Sequence, residues 1–416
     1  MKNEAISLIK NKSELTFAFV IILSIFLLNI FYEYSKYKDL TKDEVFSSST
    51  TILNRYEKSN YYIYKLKIDT YNTFYTRLNK EHYYEKFQKV NILFISKYID
   101  FYDYLKGFFA KTLFIEKIES KSFNLRFYLS DKIDSAHDNS KIKELFNALF
   151  LALPLSKDLR EFCANFGISH LIAISGFHLG LFSIIIYFII NLFYTYIHQK
   201  YFNHRNKKFD ILIISSFLLL LYLILIDIVP SFLRSFIMFI LAILFLRSNI
   251  KVLSFSTLFI TFLLIIALFP SYVFSLSLWF SIVGVFYIFL FLHYFKNLPK
   301  IYMILIFNFW IFLAVNPIVH YVFYQTSHLQ LFSPLITLIF TIFYPLELFL
   351  HLFGISYILD DFLKMFLDIN YVTYSVQTPL WFLVIYLSFS AFAVVKKEFF
   401  YGVNILLIFF NLYVYM

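Results

Sequence analysis

FGISHLIAISGFHLG, residues 166 to 180, opens a long apolar run. It gathers three of the seven glycines of a 416-residue chain, Gly167, Gly176 and Gly180. The same string holds His170, Ser175 and His178. In a bilayer, glycine lets a second backbone or a ligand come close, and a histidine is costly enough to mark a pathway. Read as one helix, the string puts His170 and His178 near the same face, about 12 Å apart at 1.5 Å per residue. That is too far for two ligands of one metal, which a helix supplies at i, i+4 spacing. Ser175 has no GxSxG turn around it, since Ala173 stands where the first glycine belongs, and an intramembrane hydrolase is therefore disfavoured. The plain alternative is packing: the glycines admit a neighbouring helix and backbone groups satisfy the histidines.

Outward from this string, the chain is 60% hydrophobic and 15% charged, with a mean hydropathy of +0.69. A soluble chain averages about 45–50% apolar and about 25% charged, so repeated apolar runs of this length predict a polytopic membrane protein. The expected spans are 168–190, 210–229, 232–246, 253–269, 274–292, 301–319, 331–353, 379–395 and 399–415. Lys200, Arg205, Lys207 and Lys208 mark one cytoplasmic loop; Arg247 with Lys251 and Lys296 with Lys300 mark two more. Continuing the alternation places Lys396 and Lys397 outside, so one segment between Asn316 and Gln377 is expected to be re-entrant, interfacial or broken, with Pro317, Pro334 and Pro345 as the breakers. Residues 360–370 read as an interfacial helix.

Lys2, Lys10 and Lys12 precede an apolar run from Leu15 to Phe31 that is followed by Tyr32 and Tyr34. This reads as a retained signal anchor over residues 1–34 with a cytoplasmic N-terminus. Residues 33–145 hold 20 of the 37 Lys+Arg and 16 of the 27 Asp+Glu, which marks a solvated block inserted into an apolar chain. Strands are expected over 50–57, 61–69, 72–79 and 90–96, with a helical piece near 83–89, as a small β domain over 45–100 outside the cytoplasm. Residues 101–140 read as an interfacial amphipathic helix (Phe101 to Glu116) and a polar linker, and 142–155 as a half-buried or re-entrant helix ended by Pro154. The remainder, 141–416, is the helical membrane core.

Single residues carry less. Cys163 is the lone cysteine and excludes an intramolecular disulfide or a CxxC metal knot. The net charge of +10 suits cytoplasmic loops and an anionic cargo alike. Lys65, Lys67 and Arg77 lie among Tyr61, Tyr62, Tyr64 and Tyr75, a mixture that can track a phosphate backbone and stack bases, or simply form a solvated strand face. Asp227, Pro230 and Arg234 form a second cluster in DIVPSFLRSFIM (227–238). The planar guanidinium of Arg234 matches phosphate geometry; snorkelling, or pairing with Asp227, is the alternative. PSYVFSLSLWFS (270–281) adds three serines. No GxxxxGK[ST] motif occurs, so transport energy would come from elsewhere.

The string at 166–180 closely resembles the signature of the ComEC competence family, GxSHLxAISGxHxG. Residues 230–238 are similar to its PSxxRAxxM element, with Ser235 in place of Ala. Residues 270–281 fall where the family has a GFQLSF-like element, of which only Leu276–Ser277 remains. Asn316–Pro317 is a weaker match. The resemblance implies an all-α polytopic inner-membrane channel of about 8–10 helices with a small extracytoplasmic OB-like β domain, which passes single-stranded DNA during natural transformation. Gly167, His170, Ser175, Gly176, His178, Gly180, Pro230 and Arg234 would shape the path, and Lys65, Lys67 and Arg77 would meet DNA first. No catalytic residue, metal or cofactor is expected. Implied partners are single-stranded DNA, membrane lipids, a periplasmic DNA-binding protein, a separate nuclease, a cytoplasmic helicase and a second copy of the chain. Many relatives continue into a metallo-β-lactamase-like domain with an HxHxDH signature; the expectation here is a short form without it. The competing readings are a transporter of a small molecule or lipid-linked saccharide and, third, an intramembrane enzyme.

Overall fold

The computed structural model describes residues 12–68, 73–81, 83–118, 124–248 and 254–416. Lys2, Lys10, Lys121 and Lys251, and the ends of the expected strands and span at Asp69, Asn72 and Leu253, lie outside them. The chain divides into two compact units.

The first unit begins with α1 (Lys12–Leu40), which is apolar over a membrane's width. It continues into β1 (Val45–Glu57), β2 (Tyr61–Ile68), β3 (Thr73–Asn79) and β4 (Lys89–Ile95). After α2 (Phe101–Lys106) come β5 (Phe109–Ala110) and β6 (Thr112–Lys117), giving the sheet order β5-β3-β2-β1-β4-β6. β1 is central because its thirteen residues pair with β4 through their first half and with β2 through their second. A register shift between Ile52 and Asn54 bends it, and such a bulge sharpens the twist that curls the sheet into a half-barrel. Alternate residues point inward: Ile52, Tyr64, Leu66, Phe74, Val90 and Phe94 form the core, closed by Tyr104, Phe108 and Leu40.

Three local expectations fail here. The stretch 101–116 is not one helix. α2 stops at Gly107, whose φ of +96° and bond from N–H to Asp103 O end it. Beyond the glycine the two-residue period takes over, with Phe108 and Ala110 buried around an exposed Phe109, and edge pairing to β3 and β4 absorbs the segment. Residues 83–89 form no helix but lead as turn and coil into β4. The polar stretch expected as linker folds as α3 (Leu125–Ala136), whose first turn is capped by Asn124 Oδ1 accepting from the N–H of Arg126 and Phe127.

The second unit contains α4 (Ser140–Leu151), α5 (Lys157–Asn165), α6 (Ser169–Ile172), α7 (Gly176–Tyr201), α8 (Lys207–Leu225) and α9 (Pro230–Ser248). Along the chain α10 (Phe255–Leu268) and α11 (Leu276–Phe295) come next, then α12 (Lys300–Val322). A two-stranded ladder of β7 (Gln325–Thr326) and β8 (Tyr374–Ser375) encloses α13 (Ser333–Phe353) and α14 (Asp360–Leu367), before α15 (Leu380–Phe392) and α16 (Lys397–Tyr415). Seven helices among the described residues are long and apolar enough to cross a membrane, and α9, α10 and α15 supply three shorter apolar helices. Their outer faces are lined by exposed side chains such as Phe188, Leu192 and Phe193 of α7, a surface only lipid suits. The chain is a multi-pass membrane protein.

The expected span 168–190 is broken. Ala173 is extended (ψ 118°) and α7 starts afresh at Gly176, so the first half of the string is a separate short turn of helix. Pro317 and Pro345, expected as breakers, sit inside continuous helices, the carbonyl of Pro317 being taken up by Thr378 Oγ1 at 2.7 Å. The irregular segment lies between these helices, at β7 and a 3-10 turn over His328–Phe332. Polar bonds join α12 to α16: Trp310 Nε1 donates to Asn404 Oδ1 (2.8 Å) and Asn316 Nδ2 to Asn411 Oδ1 (2.7 Å).

Candidate functional site around the glycine string

The string begins as the cap of α5. Gly167 takes a left-handed φ of +65°, which lets the N–H groups of Gly167 and Ile168 return to the carbonyls of Ala164 and Cys163. Its carbonyl accepts from Ser333 Oγ at 2.8 Å, fastening the turn to the start of α13. A Cβ on Gly167 would stand 3.1 Å from that of Ser333, so conformation and space both demand glycine. α6 follows, then an extended link in which Ile174 O accepts from Ser231 Oγ of α9 at 2.6 Å.

Ser175 then caps α7. Its N–H donates to His178 Nδ1 at 3.2 Å, the reciprocal half of a capping box with histidine in the usual glutamate place. A nitrogen that accepts carries no proton, so His178 bears its proton on Nε2. That atom is buried and has no hydrogen-bond partner among the described residues. The ring lies edge-on to Tyr344 at 4.7 Å, within reach of Phe340 at 6.1 Å. His170 points elsewhere: it is exposed on α6, with Nε2 3.3 Å from Thr337 Oγ1. The two histidines therefore share no helix face, contrary to the single-helix reading.

Gly176 is the first residue of α7 and packs on α9. A Cβ there would stand 2.6 Å from Ser235 Oγ and 3.3 Å from Arg234 Nη2. Gly180, expected to admit a helix in the same way, would meet nothing within 4 Å. Only the first glycine of the i, i+4 pair is a contact, because α9 crosses α7 at its start.

Arg234 is 4% exposed. Its Nε donates to Ser281 Oγ of α11 at 2.7 Å and its Nη2 to Ser235 Oγ at 2.8 Å, while Nη1 lies 3.1 Å from Met238 Sδ. No carboxylate among the described residues is bonded to it; the pairing with Asp227 that the sequence left open does not occur. Asp227 and Ile228 instead form a left-handed turn (φ 67° and 50°) that ends α8 and aims Pro230 into α9. A β-branched residue in that region is strained, and such strain is kept where the surroundings over-determine it.

Two positive ends thus meet without a counter-charge: a buried guanidinium and the N-terminus of a 26-residue helix, whose unpaired N–H groups carry partial positive charge. The arrangement repels cations and is complementary to an anion. Ser281, Ser231 and Tyr344 were not singled out as site residues from the sequence. The PSYVFSLSLWFS stretch was the one signal for Ser281.

Lys65, Lys67 and Arg77 are brought to one face of the β sheet, since β2 and β3 pair Lys65 with Tyr75 and Ile63 with Arg77. The guanidinium of Arg77 stacks over Tyr61 at 3.9 Å and Lys65 Nζ lies 5.9 Å from the Tyr75 ring, a basic and aromatic surface opposite the buried Tyr64 and Leu66.

Among known proteins, the sequence model of the family described as Competence protein matches residues 154–416, 263 of the 416 positions. No curated protein and no solved structure matches the chain. The matched region spans the glycine string, the Arg234 cradle and the apolar helices that surround them, and the chain belongs to the competence protein family.

Proposed function

We propose that this protein passes single-stranded DNA through the bacterial inner membrane during natural transformation, with its N-terminus in the cytoplasm and its β half-barrel outside. The observation that carries the reading is the uncompensated positive charge at Arg234 and the start of α7, in a region where residues 166–416 hold only seven Asp and Glu. A hydrated route for a polyanion needs few carboxylates and fixed donors; Arg234 supplies the fork that matches a phosphate. Lys65, Lys67 and Arg77 give incoming DNA a first surface on which phosphates meet cations and bases meet rings. Gly167, Ser175, Gly176 and His178 shape the passage.

The test is deletion of the gene followed by transformation with labelled donor DNA. DNA that stays nuclease-accessible outside the inner membrane, with restoration by the intact gene, is the expected result. Normal transformation by the deletion strain overturns the reading.

A further inference from the structure

Where α2 joins the half-barrel there is a pocket that neither the glycine string nor the basic sheet face uses. Its volume is about 300 Å³, the size of a small-ligand site. Tyr98, Asp103, Lys106, Gly107 and Phe109 line it. Packing sets it at the depth where α1 leaves the membrane. The apolar run of α1 ends at Phe31, and Tyr34 and Tyr37 follow as an interfacial belt. α2 rests on that belt. Phe101 meets Tyr34 edge-on at 5.3 Å, Tyr104 Oη donates to Glu33 Oε2 at 2.9 Å, and Tyr37 Oη donates to the carbonyl of Ile99, beside the pocket, at 3.1 Å. Tyr102 of α2 meets Phe274 edge-on at 5.1 Å, in the turn over Pro270–Phe274 that follows α10. Tyr98, Tyr102 and Phe109 are all exposed, and rings with an apolar body suit the headgroup level of a bilayer.

We propose that this pocket binds the headgroup of a zwitterionic phospholipid, with the phosphate on Lys106 and the ammonium on Asp103. The two residues are three apart on α2 and share a face, which sets a cation beside an anion at the pocket wall. Neither forms an ion pair among the described residues, and Lys106 Nζ stands 5.7 Å from the Tyr102 ring. A phosphate with an ammonium two carbons away, as in phosphoethanolamine, matches that pair, and Tyr98 and Phe109 offer the ammonium their ring faces. An anionic headgroup would gain Lys106 but meet the Asp103 carboxylate, and so would a phosphate of DNA. Asp100, whose carboxylate accepts from the Asp103 N–H at 2.8 Å, adds a second negative charge against them. Gly107 keeps its part of the wall free of a side chain: its φ is +96°, and a Cβ there would stand 3.3 Å from the Thr73 carbonyl oxygen. A lipid held here ties the half-barrel to the membrane surface beside α1.

The experiment is native mass spectrometry of the full-length protein, freed of lipid in detergent. It is titrated with dihexanoyl phosphatidylethanolamine or with dihexanoyl phosphatidylglycerol, which carries the same phosphate without the ammonium. The wild type should bind the ethanolamine lipid about tenfold more tightly. Lys106→Gln should weaken both lipids by about tenfold, the effect of one charge-assisted hydrogen bond. Asp103→Asn should weaken only the ethanolamine lipid and abolish the preference. Both side chains are exposed, so the variants should keep the parent's thermal midpoint. Equal binding of the two lipids by the wild type overturns the proposal, as does a preference that survives Asp103→Asn. Displacement of bound lipid by a single-stranded oligonucleotide, lost in Lys106→Gln, also overturns it and assigns the pocket to DNA.

Discussion

Arg234 Nε donates to Ser281 Oγ at 2.7 Å, joining the helix that begins at Pro230 to the one that begins at Leu276. Ser281 thus holds the guanidinium plane together with Ser235 and Met238. Ser281→Ala leaves a buried charged donor unsatisfied, a loss of about 1–3 kcal/mol, and is expected to lower both thermal stability and DNA uptake. Arg234→Lys keeps the charge but cannot reach both Ser281 and Ser235. Its uptake of labelled DNA, normalised to immunoblotted protein, should fall about tenfold or more, near the 1.4 kcal/mol of one lost hydrogen bond. Full activity in Arg234→Lys would show that the fork is not used.

The two glycines of the i, i+4 pair should separate cleanly. Gly176→Ala drives a methyl group to 2.6 Å from Ser235 Oγ and should cost about 1–3 kcal/mol, whereas Gly180→Ala meets open space and should leave uptake and stability within about 0.5 kcal/mol of the parent. Denaturation midpoints and transformation frequencies of the two variants check this side by side. Equal effects would remove the close approach of α9 as the reason for Gly176.

Burial pushes the Cys163 thiol up to about 12, and the residue is 1% exposed. At about pH 7.5 it should therefore resist maleimide in the folded protein and react only after denaturation. This silence makes Ser59→Cys, at an exposed turn of the half-barrel, a topology probe in the otherwise native chain. Labelling of intact spheroplasts by a membrane-impermeant maleimide is the expected outcome, and labelling only after lysis places the β sheet in the cytoplasm.

Ile228 holds a left-handed φ of 50° between α8 and α9. Ile228→Gly relieves a strain of about 1–2 kcal/mol against the loss of one side chain's packing, and Ile228→Asn, which tolerates this region, should raise the midpoint. A lower midpoint for both variants would show that packing outweighs the strain there.

Much of the architecture could be read from local pattern. The apolar runs located the spans from Asp210 onward because a bilayer demands length and hydrophobicity, which are properties of a segment by itself. The two-residue period placed β2, and with it Lys65 and Lys67 on one face. The failures at 101–116 and 83–89 arose where pairing decides: residues 109–117 are strand because β3 and β4 offer free edges, which no local pattern announces.

Within the site, the sequence by itself determined the ingredients: the glycines, the histidines, Arg234 and the scarcity of carboxylates along a membrane-crossing chain. Only the tertiary structure decided their relations. Whether the string is one helix or two is decided at the extended link after Ile172, where the Ile174 carbonyl accepts from Ser231, 57 residues away. That Gly176 is a contact and Gly180 is not depends on where α9 crosses α7. The partner of Arg234 is a serine 47 residues on rather than the nearby Asp227. Composition and period are local and additive, whereas a buried charge is satisfied by whichever groups the packed helices bring within about 3 Å of it, and that is fixed only when the chain has folded.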